Sequence, residues 1–273
     1  MEITTYKVKI ASLPDPVTIF YLGDIHSGSG NHNSEALKKQ VRRIAGAPGA
    51  LWIGMGDYGD HVYYTDPRFS PNSEEIIDIR EMRQGIMGQT RKIAKELEPI
   101  KDSCIGLLTG NHEEKIANKY HTDPTRELCS ILGTEYLGYL ALIRIWVYAG
   151  KDKKPTYSFS LCVQHGTRAP RTLGGKLNVA IDGEHSIEAD IYAVGHSHGL
   201  TSGVSAVKGI SSKGQLYYSQ RAFIVTSSFM ENAKKGTMNY AEKGNYPQSP
   251  MRCPYSKVWI DGTARNMEIE VTT

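Results

Sequence analysis

Short apolar runs that stop at a glycine recur along this chain. Residues 17–22 end at Gly23, 50–55 at Gly56, 104–108 just before Gly110, and 191–194 at Gly195. Runs of this length, bounded by turn residues, predict buried strands. Between them the period changes. Leu37, Val41 and Ile44 share one face of a helix that Asn33 or Ser34 caps and that runs to about residue 45. A longer helix is expected over about 73–97, where Asn72 and Glu75 have capping-box-like spacing. Asp123-Pro124 supplies the N-cap and first-turn proline of another. After Tyr136 the character turns to β, over 137–148 and 157–164. The C-terminal part alternates strands with turns and includes an Asp261-Gly262 hairpin signal. Strands alternating with helices predict an α/β protein. There are no repeats, low-complexity stretches or linkers, so residues 1–273 read as one domain, with 61–98 a candidate cap or rim.

Composition narrows the class. Hydrophobic content of 40% and charged content of 22% are ordinary for a globular protein with a proper core. A net charge of +3 is too mild to argue for nucleic acid on its own, and it does not exclude it. Cys104, Cys129, Cys162 and Cys253 form no C-x-x-C pair and read as free thiols of a reducing compartment. The N-terminus has no signal-like apolar core, and the densest apolar stretch, 137–148, is short and carries Arg144. A cytoplasmic protein without a membrane anchor is the expectation.

The turns that end the strands carry the chemistry. In order they read Gly23-Asp24-Ile25-His26, Gly56-Asp57-Tyr58-Gly59-Asp60, Gly110-Asn111-His112-Glu113, His165-Gly166 and Gly195-His196-Ser197-His198. Each motif alone is a weak signal. Together they hold five of the chain's nine histidines, and all sit where α/β folds collect ligands, which makes coincidence a poor account. Asp24 with His26, and His196 with His198, are spaced to reach one ion from a single turn. Asp57 is the natural bridge between two ions, because a carboxylate offers an oxygen to each. Asn111 adds a neutral oxygen and His165 a further imidazole. Mixed histidine and carboxylate ligation favours divalent transition metals over magnesium or calcium without choosing among them; the expectation is two such ions, manganese first, with iron, zinc, nickel or cobalt as alternatives. Two adjacent metals suit phosphate-ester hydrolysis, activating water and stabilising phosphoryl oxygens.

The ordered pattern D-x-H, G-D, G-N-H-[DE], H, G-H-x-H resembles the calcineurin-like metallophosphoesterase superfamily over Asp24 to His198. That resemblance implies a four-layer α/β/β/α sandwich of two mixed sheets flanked by helices. It implies that Asp24, His26, Asp57 and His198 hold one metal and that Asp57, Asn111, His165 and His196 hold the other. It implies that His112 serves the leaving group and that Asp60 orients it, as in the protein-phosphatase branch. That branch carries an arginine where this chain has His61, which disfavours a phosphoprotein phosphatase. The segments 165–176 and 239–243 are similar to phage and prophage members.

Substrate contacts are less legible. Arg168, Arg171 and Lys176 follow His165 in a glycine-rich loop and suit phosphate oxygens. His61, Tyr63, Tyr64 and Arg68 form a polar, aromatic candidate rim, while His32 and His185 read as ordinary surface histidines. The expected activity is a phosphodiesterase on nucleotides or nucleic acid, a nuclease being its sharper form. A phosphomonoesterase on a small metabolite is the alternative, and an inactive metal-binding scaffold is the third reading. The sequence leaves oligomeric state open; Phe223, Ile224, Val225 and Phe229 read as a core strand of the second sheet rather than a dimer edge.

Overall fold

The computed structural model describes residues 1–61, 79–211, 213–233, 244–260 and 267–273. Two mixed sheets face one another. The first holds β1 (Glu2–Ile10), β5 (Leu140–Ala149), β6 (Tyr157–Gln164), β7 (Ile191–Val194), β9 (Leu216–Val225) and β8 (Thr201–Ile210), in that order. The second runs β11 (Met267–Thr272), β10 (Tyr255–Ile260), β2 (Val17–Leu22), β3 (Leu51–Gly54) and β4 (Cys104–Leu107). At the heart of each sheet the strands are parallel, β2–β3–β4 in one and β6–β7–β9 in the other.

Period-two alternation sorts the side chains into layers. Ile19 and Tyr21 of β2 and Ile53 of β3 point between the sheets, where they meet Ile143, Ile145, Leu161, Val163, Ile191 and Ile224. Their neighbours Phe20, Leu22 and Trp52 point outward. They pack on Leu37, Val41 and Ile44 of α1 (Ser34–Ala45), Ile93 and Leu97 of α2 (Ile79–Leu97), and Leu128 and Leu132 of α4 (Pro124–Leu132). On the far side, Cys162, Tyr192 and Phe223 are covered by Val179 and Ala180 of α5 (Leu173–Ile181). The result is the expected α/β/β/α stack.

Several details differ from the sequence reading. The N-terminal residues form an edge strand, β1, parallel to β5. The glycine-rich segment after His165 becomes α5, because Thr172 caps it through Gly175 N–H and its Val179 and Ala180 find the sheet. Asn111 opens a helix of its own, α3 (Asn111–Tyr120). Phe223, Ile224 and Val225 belong to β9, paired on both sides in the first sheet, whereas Phe229 joins the other core layer. His32 is largely withdrawn from solvent, with Nδ1 2.8 Å from the Ile25 carbonyl. The start of the long helix, the Tyr63, Tyr64 and Arg68 rim, the 239–243 segment and the Asp261-Gly262 turn lie outside the described residues. The strands flanking that turn do pair as an antiparallel hairpin, from Tyr255↔Thr272 to Ile260↔Met267. Among the described residues no helix is long and apolar enough to cross a membrane. All four cysteines are buried and free.

Candidate metal centre

The parallel strands of both sheets point their carboxyl ends at one place. Loops from β2, β3, β4, β6 and β7 deliver Asp24 and His26, Asp57 and Asp60, Asn111 and His112, His165, and His196 and His198 there. The β2 and β3 loops are zipped together beyond their strands by backbone hydrogen bonds. Asp24 N–H donates to Gly56 O at 2.9 Å, His26 N–H to Asp57 O at 3.0 Å, and Asp60 N–H to Ser27 O at 2.8 Å. Asp24, His26, Asp57, His61, His196 and His198 all adopt positive φ, between 47° and 62°. Left-handed backbone is costly for such residues and persists where surroundings impose it.

Side chains then converge in two groups. In one, His26 Nε2 and His198 Nε2 are 3.0 Å apart, and His198 Nε2 is 3.4 Å from Asp24 Oδ1. In the other, Asn111 Oδ1 lies 3.0 Å from His165 Nε2 and 2.8 Å from His196 Nδ1, while Asp57 Oδ2 is 3.3 Å from His165 Nε2. Asp57 Oδ2 is also 3.9 Å from His26 Nε2, so this carboxylate faces both groups. Ligand atoms of Asp24, His26 and His198, and of Asp57, His165 and His196, each lie within 4.8 Å of one another.

Whether cations fit can be judged from the donors. His165 Nδ1 lies 2.7 Å from Met55 O and must carry hydrogen there. In a neutral ring, Nε2 is then a lone pair, and it faces two more acceptor oxygens, Asp57 Oδ2 and Asn111 Oδ1. Three lone pairs aimed at one point call for a cation or a proton. Without metal the proton wins. Burial disfavours a charged His165, but the Asp57 carboxylate outweighs it and lifts the pKa to about 9. Burial likewise opposes charge on Asp57, yet His165 holds its carboxyl well below the usual range. A donor set of imidazoles, carboxylates and one amide oxygen suits divalent transition metals.

Beside this centre a cavity of about 240 Å³ is lined by Asp60, His61, Asn111, His112, Lys115 and Ile116. His112 Nδ1 lies 2.9 Å from Asp60 O and 3.1 Å from Asp60 Oδ1, which fixes the ring and leaves Nε2 as its working nitrogen. His61 is buried, its Nε2 3.7 Å from Glu113 Oε1. Arg168 pairs with Asp182 on the surface. Arg171 donates to Gly244 O at 3.2 Å and lies over the Tyr246 ring. Neither arginine lines the cavity. Lys176 is buried and donates to the His198 carbonyl.

Three contributors escaped sequence reasoning. Glu113 is 1% exposed and its two oxygens accept four backbone N–H groups, from Asp57, Tyr58, Gly59 and Gly110, at 2.7 to 3.1 Å. Its acidic identity inside Gly110-Asn111-His112-Glu113 was the available signal. Thr226 donates to Asp24 Oδ2 at 3.0 Å, and Tyr139 lies edge-on to His165 while donating to Gly166 O at 2.7 Å. Nothing in their local sequence marks either.

No protein-family model matches the chain, and no curated protein does. Similar solved structures include a conserved uncharacterised protein, predicted phosphoesterase, from Streptococcus pneumoniae, at 14% identity and TM-score 0.34, covering 94% of this chain and 90% of that one. NAD nucleotidase of Haemophilus influenzae is 9% identical at TM-score 0.40, over 94% of this chain and 49% of its own. The calcineurin-like phosphoesterase YfkN of Bacillus subtilis is 10% identical at TM-score 0.39, over 95% and 91%. Likenesses of this size decide neither the fold nor the chemistry.

Glu113→Gln places an amide NH₂ against backbone donors and should cost about 2–4 kcal/mol of stability. Denaturant melts check this, and a loss below 1 kcal/mol, about the worth of one ordinary hydrogen bond, contradicts the role given to Glu113. A second expectation concerns pH. The raised His165 pKa means that the Asp57–His165 attraction contributes fully below pH 6.5 and is lost as pH rises through about 9. Chelator-treated protein should therefore lose thermal stability across that window. With manganese present the same rise in pH should stabilise it, because deprotonation exposes ligands.

Proposed function

We propose that this chain is a two-metal-dependent phosphoesterase, and that its substrates are phosphodiesters of nucleotides or nucleic acid. The observation that carries this is the double convergence of lone pairs around Asp57, with His112 fixed at its edge. The five motifs that build it, in their order, resemble calcineurin-like metallophosphoesterases. Asp24, His26, Asp57 and His198 would hold one metal, and Asp57, Asn111, His165 and His196 the other. Manganese is the favoured occupant. When bound there, two such cations supply an acidified water and charge neutralisation at phosphoryl oxygens.

The chain's own residues do the rest. Asp60 holds the Nδ1–H of His112, which favours the protonated ring, and in that imidazolium Nε2 carries the proton that the leaving oxygen needs. The cavity beside His112 receives the leaving alcohol, with Ile116 and Lys115 in its wall. The diester preference is supported by charge. A monoester dianion calls for guanidinium clamps, and the two arginines nearest in sequence to the ligands are tied to Asp182 and Gly244 instead.

Two measurements test this. The manganese-loaded protein should show higher kcat/KM on bis(p-nitrophenyl) phosphate than on p-nitrophenyl phosphate; the reverse order would favour a phosphomonoesterase. His112→Ala should retain both metals yet lose on the order of a hundredfold in turnover of a diester with a poor leaving group. Equal rates for variant and wild type would remove His112 from the chemistry.

A further inference from the structure

The two proposed metal positions are not equally braced. Around the first, His165 is wholly buried, its Nδ1 is bonded to Met55 O at 2.7 Å, and Tyr139 lies edge-on to its ring. Its partner oxygens belong to Asp57, whose backbone N–H is held by Glu113, and to Asn111, at the start of α3. Those ligands stand in place before any ion arrives.

The second position depends on His198. The His198 side chain is 36% exposed, the residue has φ of 48°, and it lies beyond the end of β7 in an irregular turn. Among the described residues, no group bonds its other ring nitrogen. The side chain that grips the His198 backbone is Lys176. Lys176 is 6% exposed, comes from α5, and its ammonium donates to the His198 carbonyl at 3.1 Å. Its stem lies so close over the next residue that a Cβ on Gly199 would come 2.1 Å from Lys176 Cδ. Backbone bonds also hold the turn: His196 N–H donates to Asp24 Oδ1 at 3.0 Å, Ser197 N–H to Gly195 O at 2.6 Å, Gly199 N–H to Thr226 O at 3.1 Å and Leu200 N–H to Ser249 Oγ at 3.4 Å. An ammonium withdrawn from water to hold one carbonyl is costly and is not explained by packing alone.

We propose that Lys176 is a positioning residue that clamps the His198 turn, and that its grip sets the affinity of the metal position His198 serves, the weaker of the two. The inference rests on the two-metal reading of this site. It assigns Lys176 a place behind a ligand rather than on substrate phosphates. Two effects of this lysine oppose each other. Its charge lies in the field of Asp24 and repels an incoming cation, while its hydrogen bond pre-orients a ligand. Pre-orientation dominates in this reading, because groups bonded behind a metal ligand typically change affinity by about ten- to a hundredfold.

The test is a calorimetric titration of chelator-treated full-length protein with manganese, read as stoichiometry and affinity rather than activity. Wild type should bind two ions in a tight and a weak class, and His198→Ala should remove the weak class. Lys176→Met should weaken that class about tenfold or more and leave the tight class unchanged, with Lys176→Arg recovering part of the loss. Gly199→Ala, which keeps the charge but displaces the lysine, should weaken the same class; it also serves should Lys176→Met not fold. Unchanged or tighter weak-class binding in both Lys176→Met and Gly199→Ala would overturn the clamp. Fewer than two ions on wild type would instead sink the two-metal reading, and the clamp with it.

Discussion

A single buried carboxylate organises the end of this molecule where the candidate site lies. Glu113 gathers the N–H groups of Asp57, Tyr58, Gly59 and Gly110, which come from the β3 loop and from the turn that opens α3. Burial disfavours its charge, but His61 beside it and those amides hold the carboxyl below its usual range. Because it sits in the first turn of α3, it also fixes where that helix begins. Asn111 and His112 therefore present their side chains from a rigid start. The left-handed turn at Asp57 is imposed rather than tolerated, and the same carboxylate that strains it satisfies its amide.

From that anchor the two sheets become one site. Neither sheet alone holds enough ligands. Asp24, His26, Asp57 and Asn111 follow strands of the second sheet, and His165, His196 and His198 follow strands of the first. The join is made by His165 Nδ1 to Met55 O, and by His196 N–H to Asp24 Oδ1 at 3.0 Å. The first link orients His165 by one nitrogen and leaves the other facing inward, while in the second Asp24 Oδ1 both accepts from His196 and faces His198 Nε2. The sandwich core between the sheets thus fixes ligand spacing, and a shift of one sheet over the other would open the centre before it disturbed either sheet's hydrogen bonds. Space is equally restricted. Gly110 has no room for a side chain, since a Cβ would lie 2.1 Å from Asp57 Oδ1.

Much of this was legible in the sequence because it rests on short-range patterns. Apolar runs ending in glycine marked β2, β3, β4 and β7, and the residues just past them were the chemically notable ones. The α/β/β/α arrangement followed from resemblance, and the layers are visible in the packing of Ile19 against one side and Phe20 against the other. Tertiary supports were not legible. Thr226 reaches Asp24 and Tyr139 reaches Gly166 only because distant strands are neighbours in space. The glycine-rich segment after His165 suggested a loop of phosphate-binding cations. Instead it folds as α5 once a sheet is available to cover its apolar face, and its charged groups are diverted: Arg168 to Asp182, Lys176 to His198.

That diversion bears on how the site treats charge. The centre concentrates Asp24, Asp57 and Asp60 at its core, and cations bound among them would be the main source of positive potential for an incoming phosphate. A protein that relied on arginines for that purpose would need them unpaired and facing inward. Here Arg168, Arg171 and Lys176 brace loops while Lys115 stands in the cavity wall, so attraction for substrate would depend strongly on metal occupancy. The His198 side chain is open to solvent, whereas His165 and Asp57 are buried. Rigidity at one position and exposure at the other are consistent demands on a single site. The buried half keeps the geometry, and the accessible half lets the site be loaded from solvent.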